Sequence, residues 1–221
     1  MHVSQAIKKR HSTRAFSDKT VTKETIRQII DTAKHAPSGV NMQPWKVAVL
    51  TANSKAKLSA QMVKAFREKN TETADYQYYP TEWNEIYKSR RVATGKKLYE
   101  ILDIQREDKE KRLNQWEKNY RAFDAPVMLL FFIDKSLATG SYLDYGMFLQ
   151  NIMLLAQEQG LATCPQASLA EYPGLVKSFL DLEDNWLVLG GMALGYEDTN
   201  NAVNQYRTER EELENFCEFY D

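Results

Sequence analysis

The stretch from Asp144 to Gln159 constrains this chain more than any other. Tyr145, Phe148, Leu149, Ile152, Leu155 and Ala156 recur at helical spacing, further apolar residues fall outside that face, and Gly160 supplies a stop. A helix apolar on most sides needs cover on most sides. It belongs at the centre of a fold or at an interface between subunits.

Other elements arrange themselves around it. After Thr22, a natural N-cap, Glu24 lies in the first turn and Ile26, Ile29, Ile30 and Ala33 mark one face of a helix that Pro37-Ser38-Gly39 must end. Trp45–Leu50 (WKVAVL) and Val127–Ile133 (VMLLFFI) are short, β-branched and aromatic, and predict buried strands; Leu187–Leu189 predicts the start of another. The segment from about Lys64 to Arg121 differs. It is charged, almost free of glycine, and carries Tyr76, Tyr78, Tyr79, Trp83, Tyr87, Tyr99 and Trp116, which predicts helices standing outside the core. No repeat divides the 221 residues, so one domain is expected.

Charge and apolar run length narrow the function. Lysine and arginine total 29 against 30 aspartates and glutamates, a net charge of -1, so no global field favours nucleic acid or an anionic membrane. The longest apolar run, Val127–Ile133, is far short of the roughly 20 residues a membrane span needs, and the first residues lack a signal-peptide core. A soluble, cytoplasmic protein is the expectation. Cys164 and Cys217 have no metal-binding or disulfide spacing and should be free thiols. No HExxH, GxSxG, GxxxxGK[ST] or GxGxxG pattern occurs, which argues against metal hydrolysis, serine hydrolysis and P-loop chemistry. Glu68, Glu72, Asp75, Glu107, Asp108 and Glu110 lie among basic residues and read as a solvated helix face.

Four short constellations carry possible chemistry. Arg10-His11-Ser12-Thr13-Arg14 concentrates two guanidinium groups, an imidazole and two hydroxyls, which suits a phosphate monoester and equally suits a solvated basic turn. In Ala36–Trp45 two prolines fix the backbone while Ser38, Asn41 and Gln43 offer neutral donors and acceptors to a polar heterocycle, or to the loop's own backbone. Thr163–Ser168 reads as a strand followed by a proline-directed turn whose small residues expose the main chain. Arg207-Thr208-Glu209-Arg210 adds two arginines near the end, which a surface helix cap also explains.

In this order, RHSTRAF, APSGVNMQPW, GLATCPQAS and GGMALGY followed by RTER resemble the FMN-dependent nitroreductase family over nearly the whole chain. The resemblance implies an α+β fold with a mixed, mainly antiparallel sheet flanked by helices, an intertwined homodimer, and an excursion at about 64–121 covering the active site. It implies an enzyme that takes hydride from NADPH or NADH through FMN to a small aromatic acceptor, a nitroaromatic or quinone, in a ping-pong cycle without an acid–base side chain. It further implies that Arg10, Ser12 and Arg14 hold the FMN phosphate and ribityl chain, that His11 adds main-chain and ring contacts, and that Arg210 closes the phosphate site. Pro37, Ser38 and Asn41 correspond to a loop that reaches the partner's flavin, Pro165, Gln166, Ala167 and Ser168 to the turn beside the isoalloxazine, and Gly191 to a flanking position.

Two departures from the family pattern stand out. Where several relatives carry a glutamate near the flavin N5, this chain has Gln166-Ala167-Ser168. Where some carry a lysine before the last phosphate arginine, it has Thr208, leaving fewer cations unless Arg207 substitutes. Reductive dehalogenation of halogenated phenols is a rival activity, although that branch's zwitterion-binding residues lack convincing counterparts here. A flavin-binding protein without turnover is another.

Overall fold

The computed structural model describes residues 1–221. Along the chain run α1 (Val3–Lys9), α2 (Lys23–Ala33), β1 (Lys46–Thr51), α3 (Ala52–Arg67), α4 (Glu85–Ile101), α5 (Lys109–Glu117), β2 (Val127–Asp134), α6 (Gly140–Glu158), β3 (Ala162–Gln166), α7 (Pro173–Leu180) and β4 (Trp186–Gly195). The four strands form one sheet in the order β1-β2-β4-β3, every pairing antiparallel. A single parallel bridge, Ser12 to Thr163, extends it at the β3 edge.

β2 explains why its sequence is uniformly apolar. Side chains alternate across a strand. Met128, Leu130 and Phe132 therefore enter a cluster with Leu58, Met62, Tyr120, Leu169 and Val176, while Val127, Leu129, Phe131 and Ile133 enter another with Ile26, Ile29, Tyr145, Phe148 and Ile152. Both faces are covered, α3 and α7 lying on one side and α2 and α6 on the other. Each large side chain so buried stabilises the fold by about 1.5–3 kcal/mol.

The two best-marked helices form as their sequence signals require. The Thr22 hydroxyl accepts the Thr25 N–H at 3.1 Å, and α2 buries Ile26, Ile29 and Ala33. α6 stops at a Schellman turn: the Leu161 N–H donates to the Ala156 carbonyl at 2.8 Å, the Gly160 N–H to Gln157 at 3.2 Å, and Gly160 takes φ 69°. α6 nevertheless begins at Gly140, a turn earlier than its apolar pattern, and within one chain only one face is covered. Tyr145, Phe148, Ile152 and Ala156 are buried, whereas Leu143 is 74 % exposed. β1 also departs from the expected buried strand. It is the sheet's outer strand, with Val49 exposed.

Two further expectations change. β3 runs on through Pro165 and Gln166 instead of turning at the proline, because an edge strand tolerates a residue without an N–H; the turn comes afterwards, in the 3-10 segment Ala167–Ala170. The charged excursion is only partly a set of free-standing helices. α3 packs Leu58, Met62 and Ala65 into the core, while α4 has no buried residue. Between them, Tyr76–Trp83 is not helical. Glu68, Glu107 and Glu110 are exposed as expected, but two carboxylates of this segment are engaged with distant elements. Glu72 accepts the Gly174 and Leu175 N–H groups at the start of α7, and Asp75 accepts Val188 N–H at 2.8 Å and Lys177 Nζ at 3.1 Å. No helix is long and apolar enough to cross a membrane. Cys164 and Cys217 are both free.

Candidate active site

Two cavities meet at one side chain. The first, about 440 Å³, is lined by Arg10, His11, Ser12 and Arg14 from the start of the chain and by Arg207, Thr208 and Arg210 from near its end. None of these four arginines has a carboxylate within ion-pair distance, although eleven such pairs exist elsewhere in the chain. They hold themselves in place on neutral oxygens. Arg14 donates to the Ser12 carbonyl at 3.2 Å, Arg207 to the Asn204 carbonyl at 2.6 Å, and Arg210 to the Thr208 hydroxyl at 2.7 Å. Burial and then the neighbouring Arg210 lower the Arg10 guanidinium from its ordinary value. Uncompensated cations under that strain attract an anion, and guanidinium forks match phosphate oxygens.

His11 lines the same cavity, but its ring is committed. Nδ1 lies 3.2 Å from the Lys9 carbonyl oxygen and Nε2 3.1 Å from a Glu197 carboxylate oxygen. Both ring nitrogens face protein acceptors, so His11 offers its main chain to a ligand.

The second cavity, about 570 Å³, shares Arg14 with the first. Pro165, Gln166, Ala167 and Ser168 line it, with Tyr76, Tyr78, Tyr79, Trp116 and Glu171 around them. Gln166 is buried. Its Nε2 donates to the Asn119 carbonyl at 2.9 Å, while its Oε1 has no partner. A buried orphan acceptor costs stability unless something donates to it. An N–H on the polar edge of a planar heterocycle meets that need, so this lining fits a flavin ring as the arginine cavity fits its phosphate.

Glu171 sits on the wall of this cavity. It accepts the Tyr120 hydroxyl at 2.5 Å, and Trp116 Nε1 donates to the same hydroxyl at 3.3 Å. Partial burial raises the Glu171 carboxyl above its ordinary range, against the pull of that hydrogen bond. Cys164, also on the lining, is pushed up to about 11 by burial, opposed by Arg14.

Gly191 stands elsewhere. It lies in β4 behind the cavity, where an added Cβ would fall 2.5 Å from Leu169 Cδ1 and 2.6 Å from the Leu129 carbonyl oxygen. Its neighbour Gly190 takes φ 142°, and a Cβ there would lie 2.9 Å from the Gln166 carbonyl oxygen. The glycine pair lets the Ala167–Ala170 turn rest directly on the sheet. That turn is the cavity floor.

Pro37, Ser38 and Asn41 line neither cavity. Their loop is held away from them: Ser38 Oγ accepts Gln43 N–H at 2.9 Å, and the Gly39 N–H donates to Asp144 on α6 at 3.2 Å. Val40, Asn41 and Gln43 all take left-handed backbone angles, and Val40 is 94 % exposed. A β-branched residue held so is strained and without cover in a single chain.

Comparison with known proteins bears on this geometry. A model of the nitroreductase family matches residues 7–196. The chain belongs to that family. This nitroreductase-family chain is 39 % identical over 210 residues to a 4-nitrobenzoate reductase of Pseudomonas putida, covering 95 % of this chain and 92 % of that one. Its fold matches that of the FMN- and NADPH-dependent nitroreductase NfnB from Sphigopyxis sp. strain HMH with a TM-score of 0.96 and 34 % identity, over 100 % of both chains. The FMN-dependent NfnB of Mycobacterium smegmatis, in complex with NADPH, matches with a TM-score of 0.94 and 32 % identity, again over 100 % of both. Sequence reasoning missed Asn119, Tyr120 and Glu171 around the aromatic cavity, because they act through single contacts distant in sequence and follow no periodic pattern.

Proposed function

We propose that this chain is an FMN-dependent oxidoreductase that moves reducing equivalents from NADPH or NADH to a small aromatic acceptor, a nitroaromatic or quinone. The observation that carries the reading is the junction at Arg14: four arginines without counter-charges open directly into a slot walled by aromatic rings and floored by Gln166, Ala167 and Ser168. Arg10, Ser12, Arg14 and Arg210 would hold the phosphate of FMN, with Arg207 taking the place of the absent lysine. The Gln166 amide and the Pro165–Ser168 main chain would orient its ring. Bound FMN supplies a two-electron carrier between nicotinamide and acceptor. The chain's own contribution is alignment and the exclusion of water by Tyr78, Tyr79 and Trp116. The nitroaromatic substrates and NADPH dependence of its relatives support the assignment.

The reading includes a homodimer. Leu143 on α6, Val49 on β1 and Val40 in the Pro37–Trp45 loop are apolar and exposed, as are Phe216, Phe219 and Tyr220 near the carboxyl end. Surfaces of this kind belong against a partner. The Pro37, Ser38 and Asn41 loop of each chain then completes the other's flavin site. Residues 1–221 act as one domain in the cytoplasm, with the excursion at about 64–121 covering the pocket.

The experiment is direct. Purified protein should be yellow, release FMN on denaturation, elute as a dimer, and oxidise NADPH when nitrobenzene is added. A colourless preparation that FMN does not restore, or a monomer that retains FMN, would overturn the corresponding part.

A further inference from the structure

The two halves of the arginine cradle come from opposite ends of the chain, and one buried side chain joins them. Asn204, 1 % exposed, uses its amide in full. Its Oδ1 accepts the Arg14 N–H at 2.8 Å and the Ala15 N–H at 3.2 Å, and its Nδ2 donates to the Ala15 carbonyl at 2.7 Å and the Asp198 carbonyl at 2.9 Å. From the other side, its main-chain carbonyl accepts from Arg207 at 2.6 Å.

No other residue type of this length does this. An aspartate lacks the donors, a serine or threonine lacks the reach to four backbone groups, and an apolar residue leaves buried N–H and carbonyl groups without partners. From this geometry, and resting on the FMN reading above, we infer that Asn204 is the positioning residue of the phosphate site. It fixes the main chain of Arg14 and the side chain of Arg207 in one frame, so that arginines nearly two hundred residues apart in sequence face one anion. It touches no ligand itself, since it lies on neither cavity lining.

A residue that only stabilised the fold would affect every flavin alike. One that positions the phosphate cradle affects FMN and spares riboflavin, which has the same ring and ribityl chain without the phosphate. The test is the affinity of the full-length chain for each flavin, read by fluorescence quenching. In N204A the dissociation constant for FMN should rise about tenfold or more, while that for riboflavin stays within about threefold. N204S adds no charge and cannot reach the four backbone groups, and should show the same FMN-selective loss; it carries the test should N204A be insoluble. Equal weakening of both flavins, or of neither, would overturn the inference. A wild-type chain that binds riboflavin as tightly as FMN would instead sink the phosphate site itself.

Discussion

Replacing Gly191 by alanine places a methyl group where the fold has no room for it. The new carbon would lie 2.5 Å from Leu169 Cδ1, 2.6 Å from the Leu129 carbonyl oxygen and 3.1 Å from Leu130 Cδ2. Relaxed carbon contacts need roughly 3.5–4.0 Å, so something must move by about an ångström. Leu169 is fully buried and cannot swing aside. The Leu129 oxygen belongs to β2, whose pairing with β4 places Leu130 opposite Gly191. The strain therefore falls on the sheet or lifts the Ala167–Ala170 turn, and overpacking of this kind costs about 1–3 kcal/mol. For a chain of this size that lowers the melting temperature by roughly 2–4 °C per kcal/mol, hence about 2–12 °C in all. Thermal unfolding followed by circular dichroism at saturating FMN reads it. Unchanged melting with weakened FMN binding would refute the packing argument and return Gly191 to the rim of the flavin.

Three other outcomes are expected. Arg14→Ala removes the one cation common to both cavities, and loss of a charge-assisted contact of about 1.5–3 kcal/mol should weaken FMN at least tenfold in a titration; unchanged affinity would sink the assignment. Tyr79 lines the aromatic cavity while Trp83 stands behind it, 5.7 Å from Tyr79 between ring centres, and packs under Arg91. Stopped flow should find that Tyr79→Leu alters reoxidation by a nitroarene and leaves reduction by NADPH within a fewfold, that Trp83→Leu does less, and equal slowing of both halves would make these rings structural. Because burial pushes the Cys164 thiol up to about 11, it is neutral and covered at pH 8, so alkylation of native protein should label Cys217 alone; rapid labelling of both would show that the region opens.

Much of the fold could be read from local pattern. The Thr22 cap, the uniform apolarity of β2 and the Gly160 stop are signals carried by a few neighbouring residues, and each element formed where its signal lay. Where neighbours do not decide, the reading was less sharp. Pro165 looked like a turn because nothing in Thr163–Ser168 reveals that the strand lies at a sheet edge. Glu72 and Asp75 looked like solvated charge because their partners, Gly174, Lys177 and Val188, lie about a hundred residues away. The meeting of Arg10 and Arg14 with Arg210 came from family resemblance alone, and the side chain that makes them meet, Asn204, has no sequence signature. Contacts between side chains and distant backbone leave no period to find.

The latch at the base of the aromatic excursion bears on how such chains diversify. Glu72, Asp75 and Tyr76, whose hydroxyl donates to the Leu189 carbonyl at 2.6 Å, fasten the incoming segment of the excursion to α7 and β4. Beyond that point α4 buries nothing. Residues 77–101 thus form a mostly exposed cassette, tied back to the carboxyl-terminal segment by the Tyr206 hydroxyl on the Thr94 carbonyl and by Arg90 with Glu211, and exchangeable where those contacts are kept. Chimaeras cut after Tyr76 should carry their acceptor preference with them, and a mutant library confined to this cassette would search substrate range while leaving the flavin scaffold intact.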